Sequence, residues 1–150
     1  MTKIIFSARL FSFSMALIVA AALGIASSAS AHTGHTANVC STNAADICAH
    51  IGYDELNSTK PATFMVHFMP TKGSPANLDP KLIANVTVAL QMNMAGHTHG
   101  APPVTVKAVD DVHYEVSDAN FLDMSGDWIV KVGFDFNGKT SEIQIPITVK

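Results

Sequence analysis

Four side chains within one short run can hold a soft metal ion. They are Met92, Met94, His97 and His99 in Met92-Asn93-Met94-Ala95-Gly96-His97-Thr98-His99-Gly100. Thioether sulfur stabilises cuprous copper and imidazole serves both oxidation states, so the set suits copper. Met92 and Met94 end an alternating segment, and side chains two apart on a strand share a face. His97 and His99 follow in a Gly-flanked loop that lets them converge on a neighbouring point. The same residues allow a plainer reading, in which the methionines finish a core stripe and the histidines are solvated.

Two further groups carry ligand chemistry. Met65, His67 and Met69 alternate with Phe64, Val66 and Phe68, so they occupy the face opposite the apolar one. A solvent face normally carries Thr, Lys or Glu; here it is either covered by the N-terminal segment or forms a soft metal-binding ladder. His32, with His35 close behind, stands at the expected mature terminus. An amino-terminal histidine offers its α-amino nitrogen and its imidazole to one copper ion, as in a histidine brace. His97, His99, His113 or His67 would supply the second imidazole. Cys40 and Cys48 are the only cysteines, and in an exported protein an even count reads first as a disulfide closing a small loop over 41–47. Cuprous binding by the two thiolates is the other option.

Export is the expectation from residues 1–31. Lys3 and Arg9 give a basic start, 10–26 is apolar or small, and Ala29-Ser30-Ala31 fits signal-peptidase cleavage, so the mature protein begins at His32 and keeps no stable membrane span. Removing 31 of 150 residues leaves 119, enough for one domain with a sizeable core. All twelve acidic residues remain against seven lysines, a net charge of minus five with no arginine. No basic stripe exists to neutralise phosphates, which excludes a nucleic-acid partner. The mature part keeps all seven histidines and five of the seven methionines, the neutral ligands copper prefers.

These ligands must be positioned by strands. Segment 32–59 lacks sustained periodicity and is expected to be a disulfide-stapled N-terminal piece with one helical turn near Ala44–His50. From Ala62 the pattern has period two: 64–69, 86–94, 104–108, 112–116, 128–136 and 143–149 each alternate. Asn137-Gly138 between two such runs is a strong hairpin signal, and Asp110-Asp111 marks another turn. Lys72-Gly73-Ser74-Pro75 and Asp79-Pro80 mark a longer loop. Six to seven short strands with no long amphipathic helix predict an all-β, antiparallel immunoglobulin-like β-sandwich over 60–150. Asn57-Ser58-Thr59 and Asn85-Val86-Thr87 match the glycosylation pattern, relevant only to a eukaryotic secretory route. There is no nucleophile elbow, phosphate-cradling glycine loop or HExxH, so no enzyme is expected.

Within this frame, Asn85–Val132 resembles the YtkA-like (FixH-related) domain, a small immunoglobulin-like module of exported bacterial proteins. The matching features are Met92, Met94, Gly96 and His97, then Pro103-Val104, then Tyr114, then the Met-x-Gly-x-Trp of Met124, Gly126 and Trp128. The chain departs from the family where Ala95 and Gly96 replace its usual proline and further methionine, with His99 as an extra imidazole. The resemblance covers about half of the mature chain. It implies a periplasmic or envelope location, a role in copper handling or oxidase assembly, and Met124 as a further candidate ligand. The expectation is therefore a non-enzymatic periplasmic copper-binding protein that buffers copper or delivers it to a receiving envelope protein. Its site would use Met92, Met94, His97 and His99, with Met124 or His113 in support. A metal-free envelope interaction or assembly module is the alternative of a different class. A histidine-brace copper redox protein built on His32 is the third.

Overall fold

Alternating apolar residues build two antiparallel sheets that face each other across one core. A computed structural model describes residues 32–43, 47–71 and 82–150. The described residues form ten strands: β1 (Gly34–His35), β2 (Val39–Cys40), β3 (Ile47–Tyr53), β4 (Ala62–Pro70), β5 (Ile83–Met94), β6 (His97–Gly100), β7 (Thr105–Ala108), β8 (His113–Ala119), β9 (Gly126–Phe136) and β10 (Lys139–Val149). One sheet runs β1-β3-β4-β8-β7, with β2 also on the β3 edge; the other runs β10-β9-β5-β6. The all-β, antiparallel expectation holds. The proposed signal segment 1–31 and the expected loop residues 72–80 lie outside the described residues.

The period-two pattern explains the core. Phe64, Val66 and Phe68 of β4 and Trp128, Val130, Val132 and Phe134 of β9 are fully buried, as are Ile143, Ile145 and Val149 of β10. Residues between them stay partly or fully exposed, as expected of strands with one wet face. Phe68 meets Phe134 across the sheets with ring centroids 5.0 Å apart and planes at 63°. Edge contacts of this kind favour the quadrupoles of both rings. Trp128 packs edge-on against Phe121 at 5.2 Å and donates its Nε1–H to the Met124 carbonyl at 3.0 Å. Asn137 (φ 50°) and Gly138 (φ 74°) are both left-handed, which matches the twist of the β9–β10 hairpin they close.

Strands also form where none was expected. Segment 32–59 supplies β1, β2 and β3 to the first sheet, and His97–Gly100 is a strand instead of a loop. Of the helical turn expected over 44–50, residues 47–50 are extended as part of β3, while 44–46 lie outside the described residues. A Cys40–Cys48 disulfide joins β2 to β3 at directly opposed positions. β3 pairs with β4 along seven positions, so the N-terminal segment lies beside β4 and not over its outer face.

Candidate functional site

The β5–β6 hairpin brings four of the expected ligands together. Met92 opposes His99 and Met94 opposes His97, with Asn93 opposite Thr98 between them. Directly opposed residues project from the same face with Cβ atoms about 4.5–5.5 Å apart. The two thioethers and two imidazoles therefore share one face of the hairpin. Ala95-Gly96 forms the tip, and the φ of +88° at Gly96 is a left-handed conformation that a glycine adopts without steric cost.

The hairpin is anchored at its foot and free at its tip. Pairing between β5 and β9 stops at Met92–Trp128, so Met94 and His97 lie beyond the last shared rung. Met92 is half-buried against the core, whereas Met94 is 45% exposed. Around them His97 is exposed and His99 half-buried, with ring centroids 4.7 Å apart. Gln91 donates its amide N–H to Asn93 Oδ1 at 2.7 Å on the opposite face, leaving the ligand face to sulfur and imidazole. The Met92 Cε lies 3.1 Å from where a Cβ on Gly126 would stand, so the hairpin foot abuts the segment that carries Met124. Met124 itself packs against the core beside Trp128.

The structure assigns His113 and His32 to a different place. His113 sits on β8 of the first sheet, in direct register with His67 of β4, which is in turn in register with His50 of β3. The ring of His32 lies 6.5 Å from that of His35, on the same side of the sheet. A brace would also need the α-nitrogen freed by cleavage after Ala31, a residue outside the described set. Met65, His67 and Met69 are half-buried. The sequence signal for this second group was only the odd Met-His-Met face of β4; the other histidines are scattered along the chain.

Burial and close packing shape the electrostatics of this second group. His50 and His67 have pKa values held below the ordinary imidazole value of 6.5 by burial first, and then by neighbouring imidazoles. Asp110 is held below the usual carboxylate range first by the Val112 backbone N–H, then by His113. Its carboxylate accepts the N–H groups of Val112 at 2.9 Å and His113 at 2.8 Å, and the His113 Nδ1 at 2.7 Å.

Among the described residues, no three His, Cys, Asp or Glu side chains already converge on a point that could hold a metal ion. At the hairpin only two imidazoles are present, so any site there depends on the thioethers and is selective for a soft cation. Both cysteines are committed to the disulfide, which removes thiolates from the ligand pool. A cleft of about 600 Å³ borders Tyr53, Asn93, Asp127 and Trp128, and none of the candidate ligands lines it. Its one carboxylate, Asp127, accepts the Thr148 hydroxyl at 3.0 Å, an arrangement that suits structure better than chemistry. No family model matches this chain, and no curated protein and no solved structure matches it.

Proposed function

We propose that this protein binds cuprous copper on the β5–β6 hairpin and works as an exported, non-enzymatic copper buffer or carrier. The observation that supports this best is the pairing of Met92 with His99 and Met94 with His97 on one face. Two sulfur and two nitrogen donors fit cuprous copper, and the absence of a free thiolate keeps the ion exchangeable. Placement at a projecting tip lets a receiving protein approach Met94 and His97 and take the ion by stepwise ligand exchange. The resemblance of 85–132 to YtkA-like domains supports the same reading and an envelope location.

The test replaces Met92 and Met94 by isoleucine, which keeps volume and strand propensity while removing both sulfurs. Competition against a chromophoric cuprous chelator should show at least a tenfold loss of affinity with an unchanged melting curve. Equal affinity in the double variant would remove these residues from the site. A metal-free assembly module is the competing reading. It expects full coverage of Met65, His67 and Met69, which are half-buried.

A further inference from the structure

Five of the seven histidines form a continuous row across the outer face of the first sheet. Ring centroids are 6.5 Å apart for His32–His35, 5.5 Å for His35–His50, 4.9 Å for His50–His67 and 4.1 Å for His67–His113. His50, His67 and His113 stand straight across three neighbouring strands, while His35 opposes Gly52 on β3. Sequence separation hides this row, because its members come from β1, β3, β4, β8 and the residue stretch before β1. From it we infer a second metal site, an imidazole site for a borderline divalent cation of the Cu(II) or Zn(II) class. This inference does not depend on the hairpin reading.

Four features of the row point to a cation. First, fold stability gives no reason to line up imidazoles: histidine is not among the residues that favour strands, and protonated neighbours directly opposite one another repel. Second, His50 and His67 are half-buried and in direct register with ring centroids 4.9 Å apart, so burial and like-charge repulsion disfavour the protonated form, which cannot ligate. Third, the buried His50 Nδ1 has no protein hydrogen-bond partner, and the buried His32 Nδ1 faces only the Asp54 carboxylate at 4.0 Å, beyond hydrogen-bond reach. Fourth, the Asp110 carboxylate can only accept, so the His113 Nδ1 facing it at 2.7 Å carries the hydrogen, and in the neutral ring Nε2 then keeps its lone pair. A carboxylate behind a histidine in this way orients the ring and raises its basicity toward a metal.

Space is also provided. The five imidazoles, Met65 and Gly52 line a cavity of about 130 Å³. A Cβ on Gly52 would come within 3.0 Å of the His32 ring and 3.3 Å of the His35 ring, so glycine there lets the two rings close over β3. Among the described residues no lysine or arginine lines the cavity, and Asp110 and Asp54 lie at its two ends. The rings stand side by side and do not yet converge. Binding therefore draws two or three of them together by rotation about χ1 and χ2, to metal–nitrogen distances of about 2.0–2.1 Å.

The experiment uses Zn(II), which thioethers bind poorly, so that at the hairpin only the imidazoles of His97 and His99 could compete, and H50Q/H67Q separates them from the row. Titration of the purified protein against a zinc-responsive dye should give one tight site in the wild type. That site should persist in M92I/M94I and weaken at least tenfold in H50Q/H67Q. D110N, which keeps every ligand, should weaken it about 10–100-fold. Because H50Q/H67Q could disturb folding, substoichiometric Cu(II) is added to the wild type in parallel and imidazole signals are followed by NMR. Selective broadening of His50, His67 and His113 supports the site. Absence of tight Zn(II) binding, retention of it in H50Q/H67Q, or broadening confined to His97 and His99 would overturn it. Loss of cuprous binding in M92I/M94I leaves this inference untouched, so the two readings fail separately.

Discussion

Removing the Cys40–Cys48 disulfide tests whether the N-terminal strands are part of the working fold. The two cysteines are eight residues apart and occupy opposed positions on β2 and β3. Loop-closure entropy for so short a ring amounts to about 2.5 kcal/mol of stabilisation. A chain of this size unfolds with an entropy of roughly 0.25 kcal/mol per kelvin, so the expected fall in Tm is about 10 °C. C40A/C48A should show that fall in a calorimetric scan, while the wild type in a phosphine reductant, which keeps the buried Cys48 sulfur, should fall slightly less. Hydrogen exchange locates the damage. The amides of Thr36 and Ser41, bonded to the Ile51 and Ile47 carbonyls across this edge, should lose protection first. Amides of β9 and β10 should follow only with global unfolding. A Tm within about 2 °C of the wild type would refute the reasoning. It would mean that β3 is held by its pairing with β4 alone and that the covalent link constrains little.

Acid should weaken the metal-free protein through the imidazole row. His50 and His67 have folded pKa values below 6.5, so the unfolded chain takes up protons first; their contribution is present above pH 6.5 and is lost as pH falls through the lower folded values. Urea midpoints in chelator should therefore drop between about pH 7 and pH 5, and H50Q/H67Q should show a flatter profile there; equal slopes would refute the assignment. The β9–β10 turn offers a backbone test: G138V forces a β-branched residue to φ 74° and should cost about 1–2 kcal/mol, read as a lower urea midpoint. An unchanged midpoint in G138V would mean that the turn tolerates a different conformation.

What the sequence disclosed follows from where apolar residues alternate. β4, β9 and β10 carry Phe, Val, Ile and Trp at alternate positions, and these positions are buried in each strand apart from Phe136, which is half-buried at the end of β9. β3 escaped because Ile-Cys-Ala-His-Ile-Gly-Tyr is buried on both faces at most positions, so small residues and a cysteine stand where polar ones would mark the period. β6 escaped for the opposite reason. His97-Thr98-His99-Gly100 has no apolar residue, and its strand exists only through backbone pairing with β5. That pairing changes the chemistry, since a loop would let the two histidines wander while a strand fixes each against a particular methionine. Met124 was reached only through the resemblance, and its packed position beside Trp128 needs no ligand role to explain it.

The imidazole row shows the limit of linear reading most clearly. Met65-His67-Met69 gave a local hint that the outer face of β4 was unusual, but nothing in spacing links residue 67 to 50 or 113. Only antiparallel register does so, and register is set by inward-facing partners on the opposite face of the sheet from the histidines. Ile51 opposite Val66, and Val66 opposite Tyr114, fix the alignment. Because side chains alternate, a one-residue slip of β3 against β4 would send His50 to the opposite face from His67. The core thus sets the register, and the register brings the ligands together. The consequence is testable on core residues: a substitution that alters β3–β4 pairing without touching any histidine should change Zn(II) affinity and leave cuprous binding at the hairpin intact.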